Sequence, residues 1–325
     1  VLLRFLERKL INSGDNVIEW RPDRPIQLIA GTPIGGGLDR TARALANAIE
    51  QSNLLPVPIE IINIPGDGAR KAWKYLDQHP DNGHVIAISS SNLLTDSLTG
   101  IATFNEWTYP PLAILATEYL AFITSVNSNI RTGQDFLVQL SPTTQINIGL
   151  STARGNPNHI ALAQLIKNVG GDLNGPQVRV FDTALDVVSD VIEGNADVGI
   201  ITAASAVKAL SARQINAIAV SAPNRLSGVY ADTPSWVEQS VDCRIGAWRG
   251  VSGTPNLSLD KQIYWQELLK KTITTQVWKD SLTETLSIDT FKFAAPLKAH
   301  LEEERNSMRI ILEELGFNNA PDDEI

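Results

Sequence analysis

The sequence predicts an α/β protein: two doubly wound α/β domains joined by two hinge crossings, followed by C-terminal helices. Three observations predict it. Apolar runs of strand length alternate with helical patterns along most of the chain, the signature of repeated β-α-β units and mostly parallel sheets with helices on both faces. The chain divides into two similar halves near 119–126 and near 217–222, and both divisions fall on strand patterns rather than on Gly/Ser linkers. From about residue 256 onward the alternation stops and only helical patterns remain.

Taken in order, Ile26-Gln27-Leu28-Ile29-Ala30 is a buried strand, and 38–51 is a helix with Ala42, Leu45, Ala46 and Ile49 on one face. Further strands fall at 59–64, 84–89, 118–126, 146–151, 177–182, 196–203, 215–222 and 243–251. Helical patterns lie at 69–79, 132–140, 157–169, 184–193 and 204–211, with the hydroxyls of Thr132 and Thr183 placed to cap two of them. The tail carries helices over Leu257–Thr272, with Ser258 as a cap, over Thr275–Glu284, and over Pro296–Leu315. Pro296 suits a first turn and Gly316 a C′ position. Asn318 to Ile325 is polar and expected to fray. A chain that crosses twice between two α/β units makes a hinged pair, here 1–121 plus 221–325 and 122–220. The cleft lies at the carboxyl ends of the strands, where open α/β sheets bind ligands.

A chain of 325 residues holds one sizeable core per domain. Its net charge of −9 leaves no basic patch for phosphates, which argues against nucleic acid and disfavours an anionic membrane surface. A small anion remains open, because a local nest of N–H groups outweighs a distant net charge. No apolar run has the length to span a bilayer, and Val1 to Leu10 is too charged and too short for a signal peptide, so the chain reads as mature or trimmed. The single cysteine, Cys243, lies in an apolar strand pattern as a core residue, and one cysteine allows no intrachain disulfide. His79 and His84 flank the turn Pro80-Asp81-Asn82-Gly83, a poor metal site; neither metal nor cofactor is expected.

Gly31-Thr32-Pro33-Ile34-Gly35-Gly36-Gly37-Leu38-Asp39 follows the first strand and opens the first helix. A strand that ends in glycines and turns into a helix presents backbone N–H groups at the positive end of the helix dipole, which suits an anion. Gly31, Gly35 and Gly37 also match the dinucleotide spacing of short-chain dehydrogenases. Those enzymes need Tyr-x-x-x-Lys, and none of Tyr75, Tyr109, Tyr119, Tyr230 or Tyr264 has a lysine four residues on. No Gly-Lys-Ser/Thr follows, so the loop is not a P-loop. The remaining alternatives are a tight turn without a ligand and a small-anion site. Asp39, in the first helical turn, suits the dipole and is placed to hold the loop.

A second loop repeats the design. Ile146 to Leu150 is a strand, and Ser151-Thr152-Ala153-Arg154-Gly155-Asn156-Pro157-Asn158-His159 leads into a helix. Gly149-Leu150-Ser151-Thr152-Ala153 falls one residue short of the nucleophile elbow G-x-S-x-G. The late histidine an esterase needs has only His300 to fill it, in a charged helix. His159 is either a structural residue bonded to its loop or part of the cleft lining, and Arg154 either a pocket residue or a solvent-facing one. Ser90, Ser91 and Asn92, with Thr202, are hydroxyl- and amide-bearing strand ends that could face the same cleft.

In their order and spacing these motifs resemble the extracytoplasmic solute-binding receptors of tripartite tricarboxylate transporters, the Bug proteins. The matching stretches are Gly35-Gly36-Gly37-Leu38-Asp39-Arg40-Thr41-Ala42-Arg43, Asn63-Ile64-Pro65-Gly66-Asp67-Gly68, Ser151 to His159, Phe181-Asp182-Thr183, Gly194-Asn195-Ala196-Asp197-Val198-Gly199 and Trp248-Arg249-Gly250-Val251. Two features depart from the family: Thr32 stands where it often has an aromatic residue, and Asp67 and Ala69 interrupt its Gly-Ala-Gly-Gly. The resemblance implies a periplasmic-binding-protein-like fold of type II that closes like a flytrap. It also implies a monomeric periplasmic protein, not an enzyme, that passes a small organic carboxylate to membrane permease subunits. The alternatives are a receptor feeding a two-component sensor and, weakened by the missing Tyr-x-x-x-Lys, an NAD(P)-dependent oxidoreductase using the Gly31–Gly37 loop. In the family the carboxylate is held between the two loops by backbone N–H groups and ordered waters. That implies a site of Thr32, Pro33, Gly35, Gly36, Gly37, Leu38 and Asp39 opposite Thr152, Ala153, Arg154, Asn156 and His159. Ser90, Ser91, Asn92, Asp182, Thr183 and Thr202 are expected on the far side.

Overall fold

The computed structural model describes residues 20–102, 104–141 and 145–317, so the expectations for Val1–Leu10 and for Asn318–Ile325 lie outside the described residues. The strands assort around β4 (Pro111–Ser125), which serves two sheets in turn. In the first, β1 (Ile26–Ala30) pairs parallel with β2 (Ile59–Asn63) and β3 (Val85–Ser90). Next, β9 (Gly246–Gly253) lies antiparallel between β3 and the first part of β4, and β10 (Ser287–Phe293) pairs antiparallel with β4. In the second sheet β5 (Asn147–Ser151) pairs parallel with β6 (Gln177–Phe181) and β7 (Val198–Thr202). The end of β4 lies antiparallel to β7 and to β8 (Ile215–Val220).

Helices cover these sheets. They are α1 (Gly37–Gln51), α2 (Arg70–Leu76), α3 (Asn92–Leu98), α4 (Gly133–Gln139), α5 (Pro157–Asn168), α6 (Ala184–Ile192) and α7 (Ala203–Ser211), then α8 (Leu259–Thr272), α9 (Gln276–Glu284) and α10 (Ala294–Glu314). Helix α1 buries Leu38, Ala42, Leu45, Ala46 and Ile49 on the first sheet, the apolar stripe of its sequence. Thr132 and Thr183 cap α4 and α6, each in a capping box with an aspartate three residues on. Leu301, Met308 and Leu312 of α10 share a core with Leu94 and Leu98 of α3 and Ile160 of α5, so this helix ties the two halves together. Among the described residues no helix is long and apolar enough to cross a membrane, and no cluster of metal-ligating side chains occurs.

The fold is α/β in two doubly wound halves with C-terminal helices, and it differs from the sequence reading in four places. The strand expected at 118 begins at Pro111, because the stretch 111–116 at its start is a continuous apolar run that gives no alternation to read. Strand β10 went unread: it is an edge with half-exposed residues on both faces and no clean period of two. Ser91 and Asn92, read as a strand end, lie beyond β3: Ser91 is the N-cap of α3 and Asn92 its first residue. After β8 the chain does not turn back at once: residues of the segment before β9 stay packed with the second half. Tyr230, Trp236, Val241 and Cys243 pack in the cores of the second half, and Cys243 is buried as expected but outside any strand.

Candidate functional site

The first loop is built by its own hydrogen bonds. Gly36 N–H donates to Pro33 O (2.9 Å) and Gly35 has φ +83°, which makes Pro33–Gly36 a type II turn needing glycine at its third position. A Cβ on Gly36 would lie 2.6 Å from Thr32 Cβ, so this residue too must be small. Asp39 folds back beneath the turn and is 1 % exposed. It accepts from Gly35 N–H (2.8 Å), from Arg43 Nε (2.9 Å) and from Asn63 Nδ2 (2.9 Å). Burial raises its pKa, but the bonds from Arg43, Gly35 and Asn63 outweigh it and hold the carboxyl below its ordinary value. Thr32 Oγ1 accepts from Asp39 N–H (3.1 Å) while Thr32 O accepts from Asn63 Nδ2 (2.9 Å).

This wiring narrows what the loop offers. The N–H groups of Gly35, Gly36 and Asp39 are used inside the loop. Among the described residues, those of Gly37 and Leu38 at the start of α1 find no acceptor. The Leu38 side chain lies in the core, so only its backbone is available, whereas Pro33 and Ile34 are exposed at the tip. Thr32 braces the loop with both its oxygens.

The second loop starts at Thr152, which has φ +72°, a conformation unusual for a β-branched residue. Thr152 N–H donates to Phe181 O (2.7 Å), tying the loop to the end of β6, and Ala153 N–H donates to Ser151 O (3.1 Å). Asn156 caps α5 by accepting from His159 N–H (3.2 Å), and its Nδ2 donates to Ser151 O and Thr152 Oγ1. Pro157 follows at the first helical position and has no N–H, so this helix start presents the Asn158 amide without a neighbour. The Asn158 side chain is buried and donates to Ser151 Oγ and Ile200 O. His159 is bonded to its own loop: its Nδ1 accepts from Gly155 N–H (3.0 Å). Burial, and then the positive charge of Arg154, push its pKa down to about 4, so the ring is neutral.

The structure brings most of these residues to the line where the halves meet. Arg249 of β9 sits beside Ser90 in register, and its guanidinium lies where a Cβ of Gly37 would be, 2.9 Å from Nη2. Asn92 at the start of α3 donates to Thr152 Oγ1 (3.4 Å) across the halves, and Gly155 packs on Thr99 and Leu312. Ser91 Oγ is buried and has no partner among the described residues. Thr202 stands at the N-cap position of α7 without a side-chain bond to the helix backbone, its hydroxyl 2.9 Å from Ser205 Oγ. Arg154, Asp182 and Thr183 are placed elsewhere. Arg154 donates to Val178 O and, with His159, Arg179 and Phe317, lines a side cavity of about 380 Å³. Thr183 uses its hydroxyl in the capping box of α6, with Asp182 exposed beside it.

Sequence reasoning missed three charged residues at the same line. Arg249 donates to both oxygens of Glu118 on β4 (Nε 3.3 Å, Nη2 3.0 Å), and both side chains are buried. Arg40 of α1 donates to Gly35 O (2.8 Å) and reaches the second half at Ser205 Oγ (3.3 Å). A signal for Arg40 was present: a cation in the first turn of a helix opposes the dipole, so local helix energetics do not account for it.

No protein-family model matches the chain. A curated protein of Pseudomonas sp. (strain P51), described as a UPF0065 protein in the tcbD-tcbE intergenic region, is 24 % identical over 210 residues, 63 % of this chain. The match spans 60 % of that protein's length. Among solved structures, a TctC solute binding protein from Polaromonas has a TM-score of 0.68 at 22 % identity, covering 90 % of this chain and 99 % of that one. MatC of Rhodopseudomonas palustris with bound malate has a TM-score of 0.73 at 17 % identity, covering 90 % and 99 %. R. palustris Rpa4515 with adipate has a TM-score of 0.78 at 16 % identity, covering 91 % and 98 %. In fold, then, the chain is periplasmic-binding-protein-like, of the two-lobed kind. Its neighbours are TctC and Bug-family solute-binding proteins, the group its sequence motifs resemble.

Proposed function

We propose that this chain is a periplasmic solute-binding protein of the tripartite tricarboxylate type, which captures a small organic carboxylate and delivers it to a membrane permease. The observation that carries the reading is the pair of N–H groups of Gly37 and Leu38 at the start of α1, which find no acceptor among the described residues while those of Gly35, Gly36 and Asp39 are used inside the loop. On the facing half stands the second strand–helix loop, joined across by Asn92 and Thr152. Malate and adipate in two neighbours of the same fold support a carboxylate as the ligand class.

Each helix start would contribute roughly 0.3–1 kcal/mol toward a carboxylate, and each charge-assisted hydrogen bond about 1.5–3 kcal/mol. A ligand that bonds to both halves does so only when they are closed, so closure is a population shift. The moving units are the two halves, joined by two crossings of the chain. The protein acts as a monomer and carries out no reaction on its ligand. A thermal-shift screen of mono-, di- and tricarboxylates and aromatic acids tests the proposal. At least one acid raises the melting temperature in a concentration-dependent way; a rise with nucleotides and with no acid contradicts it.

A further inference from the structure

The charges at the junction of the halves do not balance. Asp39 is matched by Arg43 at 2.9 Å, and Glu118 by the two bonds from Arg249. Arg40 is then surplus. Its nearest carboxylate oxygen is Glu118 Oε2 at 3.9 Å, already bonded to Arg249, and its hydrogen-bond partners are neutral, Gly35 O and Ser205 Oγ. Its Nε is buried with no acceptor among the described residues. Three guanidinium groups thus face two carboxylates beside the first loop, leaving one positive charge in a chain whose net charge is −9. Burial, together with Arg249 close by, draws the Arg40 pKa below its ordinary value despite the pull of Glu118 and Asp39, so the charge is held at a cost.

Position gives that charge a use. The guanidinium is anchored to the loop that bears the Gly37 and Leu38 amides, and it reaches the Thr202–Ser205 hydroxyls of the other half. We propose that Arg40 is a specificity-determining residue that pairs with the distal carboxylate of a dicarboxylate, whose first carboxylate rests on the Gly37 and Leu38 amides. The inference rests on the carboxylate reading above. Arg249 and Glu118 act as positioning residues: the pair is neutral in sum, and Glu118 orients both guanidinium groups without cancelling the charge of Arg40. A planar fork with an unused Nε–H is suited to a carboxylate in a way that an amide or hydroxyl lining is not.

Isothermal titration of the full chain with diacids from malonate to suberate, each against the monoacid of equal chain length, tests this. Wild type binds its best diacid at least about tenfold tighter than the matched monoacid, a difference of about 1.4 kcal/mol. Arg40→Gln loses that preference while its monoacid affinity stays within about twofold, and Arg40→Lys restores part of it. Circular dichroism of each variant confirms the fold. A diacid preference that survives Arg40→Gln overturns the inference, as does an equal loss for both acids, which would make Arg40 a latch on Ser205. Equal binding of monoacid and diacid by wild type overturns it while leaving the carboxylate reading intact; no binding of any acid overturns both.

Discussion

Replacing Asp39 by asparagine probes the wiring of the first loop. The new side chain has the same shape but must put an NH₂ where one carboxylate oxygen was. At the Oδ2 position it would face the Gly35 and Arg43 donors, at 2.8 and 2.9 Å. At the Oδ1 position it would face Asn63 Nδ2. Asn63 cannot turn its amide round to help, because the same Nδ2 donates to Thr32 O and a flip would set two oxygens together. Either orientation therefore leaves a buried donor unpaired. That costs about 1–3 kcal/mol, with Arg43 discounted because it is half exposed and regains water. At about 2–4 °C per kcal/mol for domains of 150–250 residues, melting falls by roughly 4–8 °C for a loss of about 2 kcal/mol. The carboxyl sits below its ordinary pKa, so its stabilisation is complete above the unfolded-state value and fades as pH falls through the folded one. Differential scanning calorimetry of Asp39→Asn at pH 7 and in acid measures both effects. A variant that melts with wild type at pH 7 refutes the assignment of Asp39 as the brace of this loop.

Other consequences follow from the same geometry. Gly31→Ala places a Cβ 2.4 Å from Ala69 Cβ and 3.0 Å from its Cα, a clash with backbone; urea titration should show a loss of about 1–3 kcal/mol. Glu118→Gln leaves the buried Arg249 guanidinium without its carboxylate, and a loss of about 3–5 kcal/mol is expected in the same assay. His159 is neutral in the fold with a pKa near 4 and unfolds into a chain where histidine has its ordinary value of 6.5. The unfolded state binds the extra proton in that window, so stability is full above pH 6.5 and declines by up to about 3 kcal/mol toward pH 4. His159→Gln should flatten that part of the pH–stability curve; an unchanged slope would contradict the neutral, loop-bonded ring.

The alternation of strands and helices was legible because each unit carries its own signal. Leu38, Ala42, Leu45 and Ile49 mark one face of α1, and Thr132 and Thr183 announce their helices three residues ahead of the aspartates that complete the boxes. What escaped lacks a local signal. Strand β10 has no alternation, α3 is only seven residues long and has no side-chain cap, and the segment holding Trp236 and Cys243 reveals its half only through tertiary packing. The two loops were recognisable as helix starts, yet which donors they keep depends on contacts made far along the chain. Asn63 reaches Thr32 and Asp39, and Phe181 reaches Thr152. Arg249 and Glu118 lie 131 positions apart and could be paired only in three dimensions.

The account turns on backbone donors from two separate loops holding one anion. Backbone amide NMR of the isotopically labelled protein, titrated with a dicarboxylate found by the thermal-shift screen, measures this directly. The amide protons of Gly37 and Leu38 should move downfield together with that of Asn158, all three following a single binding curve. Movement confined to one loop, or at residues around the Arg154–Phe317 cavity with Gly37 unmoved, would contradict it.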